Sequence, residues 1–155
     1  MRAVDPLQVR LGFTEFPPRY TCDGGNVSPE IRTGDLHPGA ESIAVITVNP
    51  FETGCSFCPW VIWDLPPSQV IPPGFPRDPV TVVPARSVQG INDYGETGYH
   101  GPCPPPGATH RYLFRVYVLD TRPDLAPGSD KHALIAAMRG HVLQYGDTVA
   151  MYYRP

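Results

Sequence analysis

Hydrophobic runs along the chain are short, and most have the two-residue period or the continuous apolar character of strands rather than the 3.6-residue period of helices. Ser42 to Val48 reads Ser-Ile-Ala-Val-Ile-Thr-Val, apolar on both faces, which predicts a strand covered from both sides. Trp60-Val61-Ile62-Trp63 predicts a second such strand, closed by Asp64-Leu65-Pro66-Pro67, and the stretch from Asn49 to Pro59 between them predicts a loop. Val80 to Val83 is a short strand between Pro79 and Pro84. Arg111 to Asp120 alternates, with Tyr112, Phe114, Val116 and Val118 on one face and Arg111 and Arg115 on the other. Thr148 to Tyr153 predicts a last strand. One segment has helical spacing: Leu134, Ala137, Met138 and Val142 recur on one face, with Ser129 placed to cap the helix, Asp130 in its first turn and Gly140 weakening its last.

Composition strengthens this picture. The 155 residues include 21 prolines and 15 glycines, spaced between β-branched and aromatic runs instead of massed in low-complexity blocks. That predicts many short strands joined by proline-rich loops. Ser87 to Pro106, dense in Gly, Asn, Asp and Pro, predicts one long loop. With no internal repeat or linker, residues 1–155 are expected to form one all-β domain: a two-sheet antiparallel sandwich with one late helix and a final strand.

The formal net charge of −3, with no run of Lys or Arg, argues against a nucleic-acid partner. No 18-residue apolar stretch predicts a membrane helix. Arg2, Asp5, Arg10 and Glu15 interrupt the N-terminal region where a secretory signal would be apolar, so a cytoplasmic location is expected.

Three segments then resemble a known family. Phe16-Pro17-Pro18-Arg19-Tyr20-Thr21-Cys22-Asp23-Gly24-Gly25-Asn26-Val27-Ser28-Pro29 is similar to the opening loop of prokaryotic phosphatidylethanolamine-binding proteins, also called Raf kinase inhibitor-like proteins. Asn92-Asp93-Tyr94-Gly95, Gly98 to Gly107 and His110-Arg111-Tyr112 resemble the family's second signature, and Gly140-His141-Val142-Leu143 matches as well. The resemblance implies a Greek-key β-domain with a small pocket at one end that takes phosphate-like anions and lipid head groups, without a cofactor. It also implies homodimerisation. Kinase signalling, protease inhibition and flowering control all occur in the family, so the fold does not name the role.

The chain departs from the family where it matters chemically. The family's Asp-Pro-Asp-Ala-Pro falls on Asn49-Pro50-Phe51-Glu52-Thr53, and the His of its following His-Trp pair falls on Pro59. His110 and Tyr112 remain, beside the Gly101–Pro102 turn. A histidine at an anion supplies a charge-assisted hydrogen bond of about 1.5–3 kcal/mol, and proline supplies none. The expected ligand site of His110, Tyr112, Asn49, Phe51, Pro59, Gly101 and Pro102 is therefore poorer in charge than is usual for the family. A small-molecule or anion-binding domain is the leading reading. An enzyme using His110 as general acid or base on an apolar substrate is the alternative, and an inhibitor acting through the Pro72–Pro84 loop is a third.

Four cysteines, Cys22, Cys55, Cys58 and Cys103, leave several states open. Free thiols suit a reducing compartment, and disulfides within Cys55/Cys58 or between Cys22 and Cys103 are also compatible. The Cys55-x-x-Cys58 spacing suits zinc, with Cys103 and His110 completing a tetrahedral set, although a second tight ligand pair is missing. Of the other candidates, Asp23 beside Gly24-Gly25 reads as turn-forming as readily as functional, and Glu52 as a solvated loop acid. His132 and His141 read as parts of the helix, and His37 and His100 as loop residues without an evident partner. Trp60 and Trp63 are expected on opposite faces of their strand, filling core.

Overall fold

The computed structural model describes residues 3–50 and 57–155. Its strands are β1 (Asp5–Pro6), β2 (Val9–Leu11), β3 (Ile31–Thr33), β4 (Ser42–Asn49), β5 (Phe57–Leu65), β6 (Val70–Ile71), β7 (Val80–Thr81), β8 (Ser87–Gln89), β9 (Thr109–Leu119) and β10 (Val142–Tyr153). A single α-helix among the described residues, α1 (Lys131–Met138), precedes β10. Seven strands form one sheet in the order β1-β10-β9-β4-β5-β8-β7, and β2-β3-β6 form a second. Pairing is antiparallel except at the edge, where β1 runs parallel to β10.

The two-sided hydrophobicity of β4 has a direct cause. Ile43 and Val45 face the smaller sheet, in one cluster with Val9, Ile31, Ile71, Phe114 and Val116. Ala44, Ile46 and Val48 face the other way, in a cluster with Trp63, Leu119, Leu134 and Met138 that seats α1 on the outer face. Trp60 belongs to the first cluster and Trp63 to the second, both fully buried. The sheet is thus covered on one side by a second sheet and on part of the other by a helix.

Several boundaries differ from expectation, each for a local reason. Asp130 rather than Ser129 caps α1, its carboxylate accepting the Ala133 N–H at 2.9 Å. The helix stops at Met138, and the chain reverses at Gly140 (φ +77°), so Val142 opens β10 and His141 lies outside the helix, against Asp120 at 2.8 Å. β10 begins at Val142 rather than Thr148. Its first half is masked in the sequence by Gln144, which is buried while bonded to the His37 N–H (2.7 Å), and by Gly146, where a Cβ would meet the Leu7 carbonyl. The strand expected over Val80 to Val83 is only Val80–Thr81, and β8 occupies the start of the loop expected from Ser87.

Candidate functional site

The site is built where β4 ends, β9 begins and β10 ends. Asn49 is the last residue of β4 and His110 the second of β9, and both side chains are buried. The Asn49 amide nitrogen lies 3.1 Å from His110 Nδ1. An amide pairs with an imidazole nitrogen in either tautomer, its N–H donating to a lone pair or its oxygen accepting from an N–H, and it brings no charge of its own to hold the ring protonated. An aspartate at position 49 would add a negative charge, which favours the imidazolium.

Pro59 lies inside β5, an unusual place for a residue with no N–H to give. The β4–β5 ladder pairs Thr47 with Trp60 and Asn49 with Phe57, so the register slips across Cys58 and Pro59. The proline is therefore accommodated in a bulge. The segment on its other side compensates: the Asp93 N–H donates to the Cys58 carbonyl (2.8 Å), and the His100 N–H to that of Pro59 (3.1 Å). The Asp93 carboxylate accepts from the Cys58 N–H and from Lys131 Nζ, both at 2.7 Å, tying the bulge to the first turn of α1. His100 stacks on Tyr94 with ring centroids 3.8 Å apart, and its Nδ1 lies 2.9 Å from the Gly101 carbonyl.

Gly101 and Pro102 are buried and serve as anchors. The Gly101 N–H donates to Asn26 Oδ1 at 2.6 Å, and a Cβ at this position would lie 2.1 Å from the Tyr20 carbonyl oxygen, so only glycine fits. The Pro102 carbonyl accepts the Cys22 N–H at 3.2 Å, and Cys22 and Cys103 form a disulfide. Of the expected site residues, the structure brings Asn49 against His110 and joins Pro59 to Gly101 through His100. Tyr112 shares the His110 face of β9 but packs in the core, edge-on to Phe16 at 5.7 Å. Phe51, like Glu52 and Cys55, lies outside the described residues.

The thiols separate into distinct states. Cys103 is oxidised and cannot serve as a zinc thiolate beside His110. Cys58 is fully buried, its thiol donates to the Trp60 carbonyl at 3.4 Å, and desolvation pushes its pKa up to about 12.

Three side chains at this corner escape sequence reasoning. Tyr152 is the cross-strand partner of His110 in β10, which puts both side chains on one face. Its hydroxyl donates to the Asp23 carboxylate, a bond that raises the phenol above its ordinary pKa. Arg154 holds the other Asp23 oxygen at 3.2 Å. Asp23 thus brings an acid to this corner from a loop distant in sequence, although the acid of the matched motif is absent. Tyr99, also buried, donates its hydroxyl to the Tyr20 carbonyl at 2.6 Å, and burial raises its phenol well above the usual range.

Comparison with known proteins agrees with the fold and the motifs. The family model described as phosphatidylethanolamine-binding protein matches residues 12–153. A UPF0098 protein of Pyrococcus abyssi is 41% identical over 146 residues, covering 93% of this chain and 82% of its own. The UPF0098 protein YbhB of Escherichia coli is 35% identical over 133 residues, 84% of each chain. Among solved structures, the phosphatidylethanolamine-binding protein homologue CT736 of Chlamydia trachomatis superposes with a TM-score of 0.84 at 28% identity, covering 97% of this chain and 99% of its own. E. coli YbcL gives 0.83 at 25% identity, covering 96% and 99%.

Proposed function

Taking as premise that the chain belongs to the phosphatidylethanolamine-binding protein family, we propose that it is a non-enzymatic small-molecule-binding domain whose pocket, at the His110 end of the sheet, is less charged than is usual for the family. The observation that carries this reading is the buried Asn49–His110 contact at 3.1 Å. An amide in place of a carboxylate withdraws the group that would hold the imidazole protonated, and Pro59 withdraws a second donor. What remains is an imidazole paired with an amide, with Tyr152 on the same face, suited to an oxygen acceptor without a strong demand for full negative charge. Charge-assisted hydrogen bonds contribute about 1.5–3 kcal/mol and neutral ones about 1, so anion affinity falls by several-fold or more.

Calorimetric titration with inorganic phosphate, phosphoethanolamine and acetate tests the proposal. Binding in the millimolar range that is lost in His110→Gln supports it, as does phosphate affinity about tenfold higher in Asn49→Asp at pH 6. Absence of binding by all three at millimolar concentration removes the anion-receptor reading. The cytoplasmic location belongs to the same proposal, and the Cys22–Cys103 bond makes it demanding, because such bonds are rare where thiols are kept reduced.

One observation favours a second reading, in which a surface loop engages another protein. Val82 and Val83 are 81% and 76% exposed, just beyond β7 in the Pro72–Pro84 loop. Pull-down by the intact chain but not by a loop-shortened variant would support it, and identical recovery by both would end it.

A further inference from the structure

The outer face of the seven-stranded sheet is much longer than the helix that covers it. α1 has 8 residues, about 12 Å of axis, whereas β9 and β10 have 11 and 12, about 35–40 Å each. Leu134 and Met138 seat the helix at one end of this face. Past Met138 the chain turns at Gly140 and enters β10 at Val142, leaving a groove of about 620 Å³ at the helix end. Val4, Tyr117, Ile135, Met138, Arg139 and Val142 line it. Val4 and Ile135 are 51% and 40% exposed, more than single core-lining residues need be. This volume lies within the 300–1,000 Å³ typical of small-ligand clefts.

Two cations and one acid lie here: Arg139, Arg115 and Asp147. Among the described residues, Arg139 is the only charged one of the lining, and its guanidinium meets no carboxylate. Two residues before Tyr117 on the same face of β9, Arg115 has its Nε buried without an acceptor. Asp147, the cross-strand partner of Arg115, is engaged by the Tyr145 hydroxyl at 2.7 Å. Burial raises the Tyr117 phenol, which keeps its proton, and hence a donor, throughout the neutral range.

We infer that this groove is a binding site, separate from the His110 corner, for a small amphipathic anion: an apolar chain against Val4, Ile135, Met138 and Val142, with a carboxylate held by Arg139 and the Tyr117 hydroxyl. Apolar burial supplies most of the affinity, and the guanidinium selects the charged head group. The inference does not rest on the reading of the His110 site.

The test is a nuclear magnetic resonance titration of the full chain with decanoate below its micelle-forming concentration, with decanol as the uncharged control. Saturable shifts at the amides of Ile135, Arg139 and Val142 are expected. Decanol should bind about tenfold more weakly than decanoate, and Arg139→Glu should weaken decanoate by about tenfold or more, as should Ile135→Glu. Both substitutions are at exposed positions, so the fold is retained, and a thermal melt checks this. The inference is overturned by shifts confined to Asn49 and His110, or by no saturable shift at the groove. Equal affinity for decanoate and decanol would also overturn it. So would concentration-dependent dimerisation in ultracentrifugation that Ile135→Glu abolishes, because a second copy of the chain would then be the occupant.

Discussion

The two ends of the seven-stranded sheet are closed by different physics. At the helix end, Leu134 and Met138 press onto Ala44, Ile46, Trp63 and Leu119, a contact of apolar side chains with few directional demands. At the His110 end, closure depends on particular donors and acceptors: Asn49 on His110, Tyr152 and Arg154 on Asp23, Gly101 on Asn26, and the Cys22–Cys103 bond. The first arrangement tolerates substitution of similar volume and is worth many kilocalories in total. The second contributes less net stability but fixes where each polar atom points, as the proposed binding corner requires. Under that proposal, stability and specificity are assigned to opposite ends of the same strands.

The largest expected effect is at the packed end. Trp63→Ala removes a fully buried ring and should lower unfolding free energy by about 3–5 kcal/mol, read from urea denaturation. A loss below about 1 kcal/mol would mean that the helix face is not where stability resides. Next comes the cross-link at the other end. Cys22→Ser with Cys103→Ser opens a connection across 81 residues and should cost about 2–4 kcal/mol. If that variant also binds phosphate like the parent, the corner is positioned by its hydrogen bonds alone. If binding weakens in proportion, the cross-link is part of the positioning.

Cys58 lies between the two regimes, in the apolar cluster yet next to the Pro59 bulge. Its thiol is raised from 9.0 to about 12 chiefly by desolvation. Below about pH 9 the group is protonated both folded and unfolded, and it leaves stability independent of pH. Above that, the unfolded chain ionises first, so stability falls as pH rises towards 12, by about 1.4 kcal/mol per pH unit for this one proton. Cys58→Ala should remove that slope, measured by denaturation at pH 9, 10 and 11. A slope unchanged in Cys58→Ala would assign it to other groups, the raised tyrosines first.

The same contrast explains what could be read from the chain itself. β4 and β9 were legible because burial on two faces, or on one, leaves a continuous or alternating apolar run. α1 was legible for the same reason, with its cap misplaced by one residue. β1, β2, β3 and β6 are two or three residues long, too short to show a period. At the His110 corner, the meeting of Asn49 with His110 follows from the family motif and the strand ends that carry it. The Asp23–Tyr152 contact spans 129 residues and joins a turn-like aspartate to a tyrosine indistinguishable by alternation from core, so nothing local signals it. Tyr112 is legible in the other way: alternation with Leu113 puts its ring towards the interior, where it packs edge-on to Phe16.

The smallest effects compare one directional bond at each end. Asp130→Ala deletes the cap of α1 and should cost about 1 kcal/mol. Tyr152→Phe deletes the hydroxyl that Asp23 accepts and should cost a similar amount in stability. Their consequences for binding should differ. The Asp130 carboxylate touches only its own helix, so phosphate titration of Asp130→Ala should match the parent. Tyr152 shares a face with His110, and its loss frees Asp23 from one of two partners, so Tyr152→Phe should alter phosphate affinity at a stability loss no larger than that of the cap. Equal binding by both variants would mean that Asp23 and Tyr152 merely close the end of the sheet. A change in Tyr152→Phe alone would make the Asp23–Tyr152 pair the acid that this site gained in place of the one missing at Asn49.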